Sequence, residues 1–308
     1  MKKRFSVICG GSGSSKFASA LSEFSEESGD LKFIANVGDN FWHHGLYVCP
    51  DIDIIAYSLS NLLDVDKGWG VKGDVHEVRQ VLSRISRIPE WFGLGDRDLA
   101  VSLKRTELYR KGWSLSSITR EICFRLGVKG DLIPATDDPL QTFIRTAEGN
   151  LHLQEFWVKN AGKLDVTEVQ YQGIEKARPT TRFLEACSEP VIVCPANPVT
   201  SILPTLGLRG VKSRLKKTRV VAVSPFVGEK PFSGPAATLL RAGGIETNSR
   251  GVAKLYSGFL KALFLDKNED PSIVQSIREM GIECIITNTR ISSESDKAAI
   301  AMELVAAL

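Results

Sequence analysis

The sequence predicts a three-layer α/β sandwich around a mostly parallel sheet, and three observations carry the prediction. The chain opens strand, glycine-rich turn, helix, strand, a β-α-β unit that implies two parallel strands and a right-handed crossover. Strand and helix patterns alternate again in the last third of the chain. Between them, Val191 to Cys194 and Val220 to Val223 are short, wholly apolar runs, as expected of strands buried on both faces.

In chain order, Phe5 to Cys9 is the first strand, and Gly10 to Lys16 is the turn. A helix follows through Phe17, Leu21 and Phe24, and Leu31 to Val37 is the second strand. Gly73 to Ile88 carries Val75, Val78, Val81, Leu82, Ile85 and Ile88 at helical spacing, with Asp74 as the expected cap. Ser114 to Leu126 repeats that pattern and Gly127 stops it. Leu151 to Val158 reads as a strand. After the two apolar strands come helices over Pro235–Ala242, Val252–Leu263 and Pro271–Met280, a strand over Ile282–Thr287 and a helix over Glu294–Ala307. The stretch from about 65 to 185 is richer in helices and loops and has no linker composition at its ends. It is expected to be an insertion into a single domain whose core spans about 1–64 and 186–308.

The 308 residues are 43% hydrophobic and 24% charged, which excludes disordered, collagen-like and coiled-coil chains. A formal charge of +3 is too mild to argue for nucleic acid or a membrane surface. Arg209 to Arg219 is basic but has no aromatic for base stacking, so it reads as a solvated helix face. Pro190 to Leu208 is uncharged, yet Pro190, Pro195, Pro198 and Pro204 break it too often for a membrane span. The basic start, Met1 to Arg4, leads into a strand too short for a signal peptide. The six cysteines (Cys9, Cys49, Cys123, Cys187, Cys194 and Cys284) are dispersed and form no C-x-x-C, which suits reduced thiols in the cytoplasm.

In open α/β sheets ligands collect at the carboxyl ends of the strands. Gly11, Ser12, Gly13 and Ser14 stand at such an end and open a helix, so their backbone N–H groups can meet phosphate oxygens, with Lys16 as an added charge. The alternative is a tight strand-to-helix turn with no ligand. Lys16 stands where a dinucleotide fingerprint has its third glycine. Asp39, Asp51 and Asp53 follow the second strand. They can hold Mg²⁺ against a diphosphate, and on extended backbone Asp51 and Asp53 would point the same way. Adjacent histidines diverge, so His43 and His44 line a pocket or a turn sooner than they bind a metal. Trp42, Trp91, Asp96 and Arg97 offer a wall and a polar rim for a flat ligand, or an Asp–Arg pair capping the next helix. Thr136-Asp137-Asp138-Pro139 is an acidic turn. Asn197, Pro198 and Ser201 after one apolar strand, Ser224 after the next, and Gly234 at a helix start bring small polar groups to the same edge.

Taken together, these blocks resemble the CofD family, the 2-phospho-L-lactate transferases of deazaflavin coenzyme F-420 biosynthesis. The resemblance rests on the glycine turn, Gly38-Asp39 with Trp42-His43-His44-Gly45, Pro50-Asp51-Ile52-Asp53, Gly68-Trp69-Gly70 and Leu94-Gly95-Asp96-Arg97-Asp98. Asp137-Asp138-Pro139, His152-Leu153-Gln154-Glu155, Asn197-Pro198-Val199 and Gly234-Pro235-Ala236 extend it over almost the whole chain. It implies a Rossmann-like core with the site between core and helical part, and a homodimer. It also implies Mg²⁺-dependent transfer of a phospholactyl or phosphoenolpyruvyl group from a guanosine-diphosphate-linked donor to the deazaflavin precursor FO, releasing GMP. On that reading Asp39 and Asp51 hold the metal, Asp51 and Asp53 are catalytic, and Gly11 to Ser14, Lys16, Asn197, Pro198, Ser201, Ser224 and Gly234 hold the nucleotide. Trp42, Asp53, Trp91, Asp96 and Arg97 would line the deazaflavin pocket. Asn40, Ser102, Ala196 and Asn288 depart from the usual family residues (Asp, His, Ser and Asp). These departures keep open an alternative, a catalytically inactive regulator that binds a nucleotide or nucleotide-sugar.

Overall fold

The structure is a computed structural model and describes residues 4–24, 31–86, 91–228, 230–231 and 236–308. The first strand, β1 (Ser6–Cys9), leads through the glycine turn into α1 (Gly11–Phe24), and then β2 (Lys32–Ala35). A small hairpin of β3 (Phe41–His43) and β4 (Leu46–Val48) precedes α2 (Pro50–Leu59), α3 (Glu77–Ile85), α4 (Asp96–Arg110) and α5 (Leu115–Leu126). Next come β5 (Asp131–Pro134) and an antiparallel sheet of β6 (Gln141–Thr146), β7 (Gly149–His152) and β8 (Val166–Gln172), in the order β7-β6-β8. The chain continues through β9 (Val191–Val193), β10 (Val220–Val223), the short pair β11 (Phe226–Val227) and β12 (Lys230–Pro231), β13 (Ala262–Asp266) and β14 (Glu283–Thr287).

Seven strands form the central sheet in the order β14-β13-β10-β9-β1-β2-β5, and every pairing is parallel. Helices cover both faces, so β1, β9, β10 and β13 are buried along their whole length, which is why their sequences are nearly unbroken apolar runs. Strand order reverses at β1. From there the chain grows outward through β2 to one edge and later through β9 to the other. The loops after β1 and β9 therefore part from neighbouring strands and leave a crevice between them. Helix α1 packs on α2 and on the helix Glu294–Ala306. Ser114 caps α5 by accepting from Ser117 N at 3.2 Å, and Gly127 ends it at φ 67°.

Several elements differ from the sequence expectation. The helix expected over Val252–Leu263 spans Ser249–Tyr256, and Ala262–Asp266 is instead a fully buried strand. Leu260 to Leu265 carries no strand-specific alternation, and partners on both sides decide its conformation. The strand expected over Leu151–Val158 is β7, ending at His152, followed by a π-helical turn over Glu155–Lys159. The helix expected from Pro235 begins, within the described residues, at Ala236. Asp74 does not cap α3. Its carboxylate accepts from the backbone N of Arg97 at 3.1 Å and of Asp98 at 3.4 Å, at the start of α4. Residues 65–185 are not only helical: they supply edge strand β5 and the antiparallel sheet.

No helix among the described residues is long and apolar enough to cross a membrane. Pro190 to Leu208 folds as β9, a π-helical turn over Pro198–Ile202 and a short helix over Leu203–Gly207. All six cysteines are free thiols, and all but Cys284 are buried.

Candidate active site

The crevice holds a cavity of about 320 Å³, within the range of small-molecule sites. Four groups of residues line it. Gly11, Ser12 and Gly13 come from the turn after β1, and Asn197, Thr200 and Ser201 from the π-helical turn after β9. Asp39, Asp51, Asp53 and Asp98 supply carboxylates. Trp69, Phe92 and Trp157 supply flat apolar walls.

The turn is compact for steric reasons. A Cβ on Gly13 would stand 2.5 Å from the Pro195 carbonyl oxygen, and one on Gly10 2.8 Å from Asp51 Oδ2. Gly11 has φ +64°, a backbone conformation that disfavours side chains. On the opposite side, Asn197 Oδ1 accepts from Val199 N at 3.0 Å and from Thr200 N at 3.4 Å, which fixes the start of its π-helical turn. Among the described residues the amide nitrogen of Asn197 has no hydrogen-bond partner.

Asp39 and Asp51 are held together by Asn36, the residue after β2. Its Nδ2 donates to Asp39 Oδ1 at 3.1 Å, to Asp51 Oδ2 at 2.8 Å and to the Thr200 carbonyl at 3.1 Å, while its Oδ1 accepts from Gly38 N at 3.0 Å. Gln154 Nε2 reaches the other oxygen of Asp39 at 3.4 Å. Burial pushes the Asp51 carboxyl up to about 6, against the hydrogen bonds from Asn36 and the Gly11 backbone. Asp39 is pushed well above the carboxylate range by burial and then by the charge of Asp51.

The expected shared direction of Asp51 and Asp53 does not hold, because both lie on helix α2, where residues two apart diverge. Asp53 turns to the guanidinium of Arg105 on α4, and the pair is almost wholly enclosed. Burial still raises the Asp53 carboxyl, with Arg105 pulling the other way.

The remaining expected site residues lie elsewhere. Ser14 is buried and accepts from Gly10 N at 3.1 Å, and Lys16 Nζ donates to the Ile291 carbonyl at 3.3 Å. Pro198 is buried at the start of its turn. Ser224 is enclosed with Ser249, Oγ to Oγ 2.7 Å, and accepts from Phe226 N. Gly234 lies outside the described residues. Trp42 packs on Tyr47 and Tyr109 at the surface, and Trp91 on Phe41, His43 and Phe92. Asp96 Oδ1 accepts from Val78 N at 3.3 Å, and Arg97 Nη1 donates to the Lys72 carbonyl at 3.2 Å. None of these eight described residues lines the cavity. The tryptophans that do are Trp69 and Trp157.

The profile of the family described as 2-phospho-L-lactate transferase CofD matches residues 6–303. The chain belongs to the CofD family. It is 36% identical to a 2-phospho-L-lactate transferase of Methanospirillum hungatei, covering 88% of this chain and 91% of the relative. Another 2-phospho-L-lactate transferase, from Methanopyrus kandleri, is 35% identical over 99% of this chain and 97% of its own. A phosphoenolpyruvate transferase of Nocardia farcinica is 32% identical over 94% and 92%. A crystal structure of a UPF0052 family protein from Bacillus halodurans shares the fold, with a TM-score of 0.64, 15% identity and 99% of each chain covered.

Asn40, Ser102, Ala196 and Asn288, where the resemblance implies departures, do not line the cavity. Asn40 is buried and donates to the Tyr47 hydroxyl at 3.3 Å. Ser102 and Ala196 are buried, and Asn288 donates to Asp296 Oδ1 at 3.1 Å near the start of the last helix.

Proposed function

We propose that this CofD protein moves a phospholactyl or phosphoenolpyruvyl group from a guanosine-diphosphate-linked donor to FO and releases GMP, in coenzyme F-420 biosynthesis. One observation carries the reading: the carboxylates of Asp39 and Asp51, joined through Asn36, share a cavity with the glycine turn and with tryptophan walls.

Two adjacent buried carboxylates with only a neutral amide between them suit a hard divalent cation. Mg²⁺ commonly takes one or two protein carboxylates and completes its shell with substrate phosphates and water. Asp39 and Asp51 would hold that ion, which when bound supplies positive charge against the donor phosphates. The chain's own part is mostly positioning, as phosphoryl transfer demands. Backbone N–H groups of Ser12 and Gly13, with Asn197 and Ser201, would bind the nucleotide phosphates, while the Gly11 backbone holds Asp51. Trp69, Phe92 and Trp157 would hold the flat acceptor and exclude water from its face. Asn36 keeps the two carboxylates aligned. The same family resemblance leads us to propose a cytoplasmic homodimer.

The test is direct. Purified protein is incubated with FO, Mg²⁺ and either the lactyl or the enolpyruvyl donor, and products are followed by mass. GMP and a phosphodiester of FO are expected with at least one donor. Silence with both donors, in a protein that still binds GDP, would overturn the reading in favour of a nucleotide-binding regulator.

A further inference from the structure

We propose that Asp98 is the general base that removes the proton from the acceptor hydroxyl; this rests on the transferase reading above. Of the four carboxylates that line the cavity among the described residues, three are committed. Asp39 and Asp51 share Asn36. Asp53 balances Arg105, and a proton placed on Asp53 would leave a buried guanidinium without its counter-charge. Asp98 has no such obligation. Among the described residues its Oδ2 accepts a long bond, 3.4 Å, from the Gly95 backbone, the Tyr57 hydroxyl stands beside it, and no basic side chain pairs with it.

Its place in the cavity is beside the aromatic walls. A Cβ on Gly70 would stand 3.7 Å from Asp98 Oδ2, so the carboxylate lies against the backbone beside Trp69. Phe92 and Leu94 line the same part of the sequence just before α4. A flat ring held between these walls presents its side-chain hydroxyl to a carboxylate that is half-buried and oxygen-first. Burial and the charge of Asp53 push the Asp98 carboxyl up to about 6, which raises its proton affinity yet leaves it ionised at neutral pH. The groups facing it are Asp53 and Tyr57 from α2, Asp74 from the segment before α3, and Arg105 through Asp53.

The step balances without any further reagent. The acceptor O–H proton moves to Asp98, and the freed oxygen pair forms a bond to phosphorus. The bond from phosphorus to the GMP oxygen breaks, with its electron pair leaving on GMP. Asp98 then releases its proton to water.

The experiment compares wild type, Asp98→Asn and Asp98→Glu at saturating Mg²⁺ across pH 5 to 8, with FO affinity read separately from FO fluorescence. Asparagine can still accept from Gly95 N, so α4 keeps its start. Asp98→Asn is expected to lose at least about a hundredfold in kcat with FO affinity within about threefold, because a base acts on the reaction and not on binding. Wild type should lose activity below pH 6, and Asp98→Glu should recover part of the rate with a displaced acid limb. Turnover of Asp98→Asn within threefold of wild type would overturn the proposal, as would a wild-type profile flat from pH 5 to 8. A wild type silent with both donors would instead overturn the transferase reading and this proposal with it. An active wild type with an active Asp98→Asn sinks the proposal alone.

Discussion

The side-chain nitrogen of Asn36 donates to Oδ2 of Asp51 at 2.8 Å, so the end of β2 is tied to the first turn of α2. Because the same nitrogen serves Asp39, one neutral residue organises both carboxylates. Asn36→Ala should cost about 3 kcal/mol of stability through the unpaired buried acceptors. It should also weaken Mg²⁺ binding, read by calorimetry, more than tenfold. Unchanged melting temperature and unchanged Mg²⁺ affinity would show that the two acids are placed by other contacts.

Asp51 makes a prediction about pH. Its folded-state value, about 6, lies above the ordinary 3.8, so the folded chain binds more protons than the unfolded chain between those values. Stability contributed by this site therefore falls as pH rises through that window and is fully lost only well above the folded value. The difference in unfolding free energy between Asp51→Asn and wild type should grow from pH 4 to pH 7.5. Urea denaturation at several pH values measures it. A difference that is flat or shrinks with pH contradicts a buried carboxyl raised in this way.

The glycine turn separates packing from binding. Gly13→Ala should destabilise by about 1–3 kcal/mol, because its methyl would meet the Pro195 carbonyl. Ser12 is exposed and lines the cavity, so Ser12→Ala should leave stability within about 0.5 kcal/mol. Thermal melts decide the first, and GDP titration of both variants decides whether the turn also binds phosphate. A Gly13→Ala protein that melts like wild type would mean that the loop after β9 yields.

Arg105 and Asp53 test the buried ion pair. Arg105→Met should lose about 3–5 kcal/mol, since Asp53 would keep a buried charge without its partner. Adding Asp53→Asn should restore much of that loss, giving a coupling energy in the double-mutant cycle. Additive losses would show that the two side chains do not depend on each other.

Much of the sheet is legible in the sequence because β1, β9 and β10 are nearly unbroken apolar runs ending in glycine or proline loops. β13 is not, since Leu260 to Leu265 fits a helix as well as a strand until its neighbours in the sheet are known. Asp39, Asp51 and the two loops could be placed at one edge because strand ends converge there. Asn36 was missed because a lone asparagine after a strand carries no pattern, and its role depends on Asp51 and Thr200 arriving from elsewhere in the chain. In the sequence Asp96, Arg97 and Asp98 read as one charged cluster beside Trp91 and Phe92, yet Asp96 and Arg97 face α3 and Lys72. Their neighbour Asp98, turned inward by helical geometry, reaches the cavity.

The pairing of β1 with β9 joins Ser6 to Val191 at the middle of the sheet. During synthesis, β1 and β2 can meet early, but the flank of β1 that β9 will cover stays bare until Val193 has left the ribosome. For that whole interval an apolar strand edge is open to other nascent chains. Such late, sequence-distant closure makes assembly slow and prone to intermolecular pairing. Yield of this protein in a heterologous host should therefore depend on chaperone supply and growth temperature more than on the stability of the finished fold.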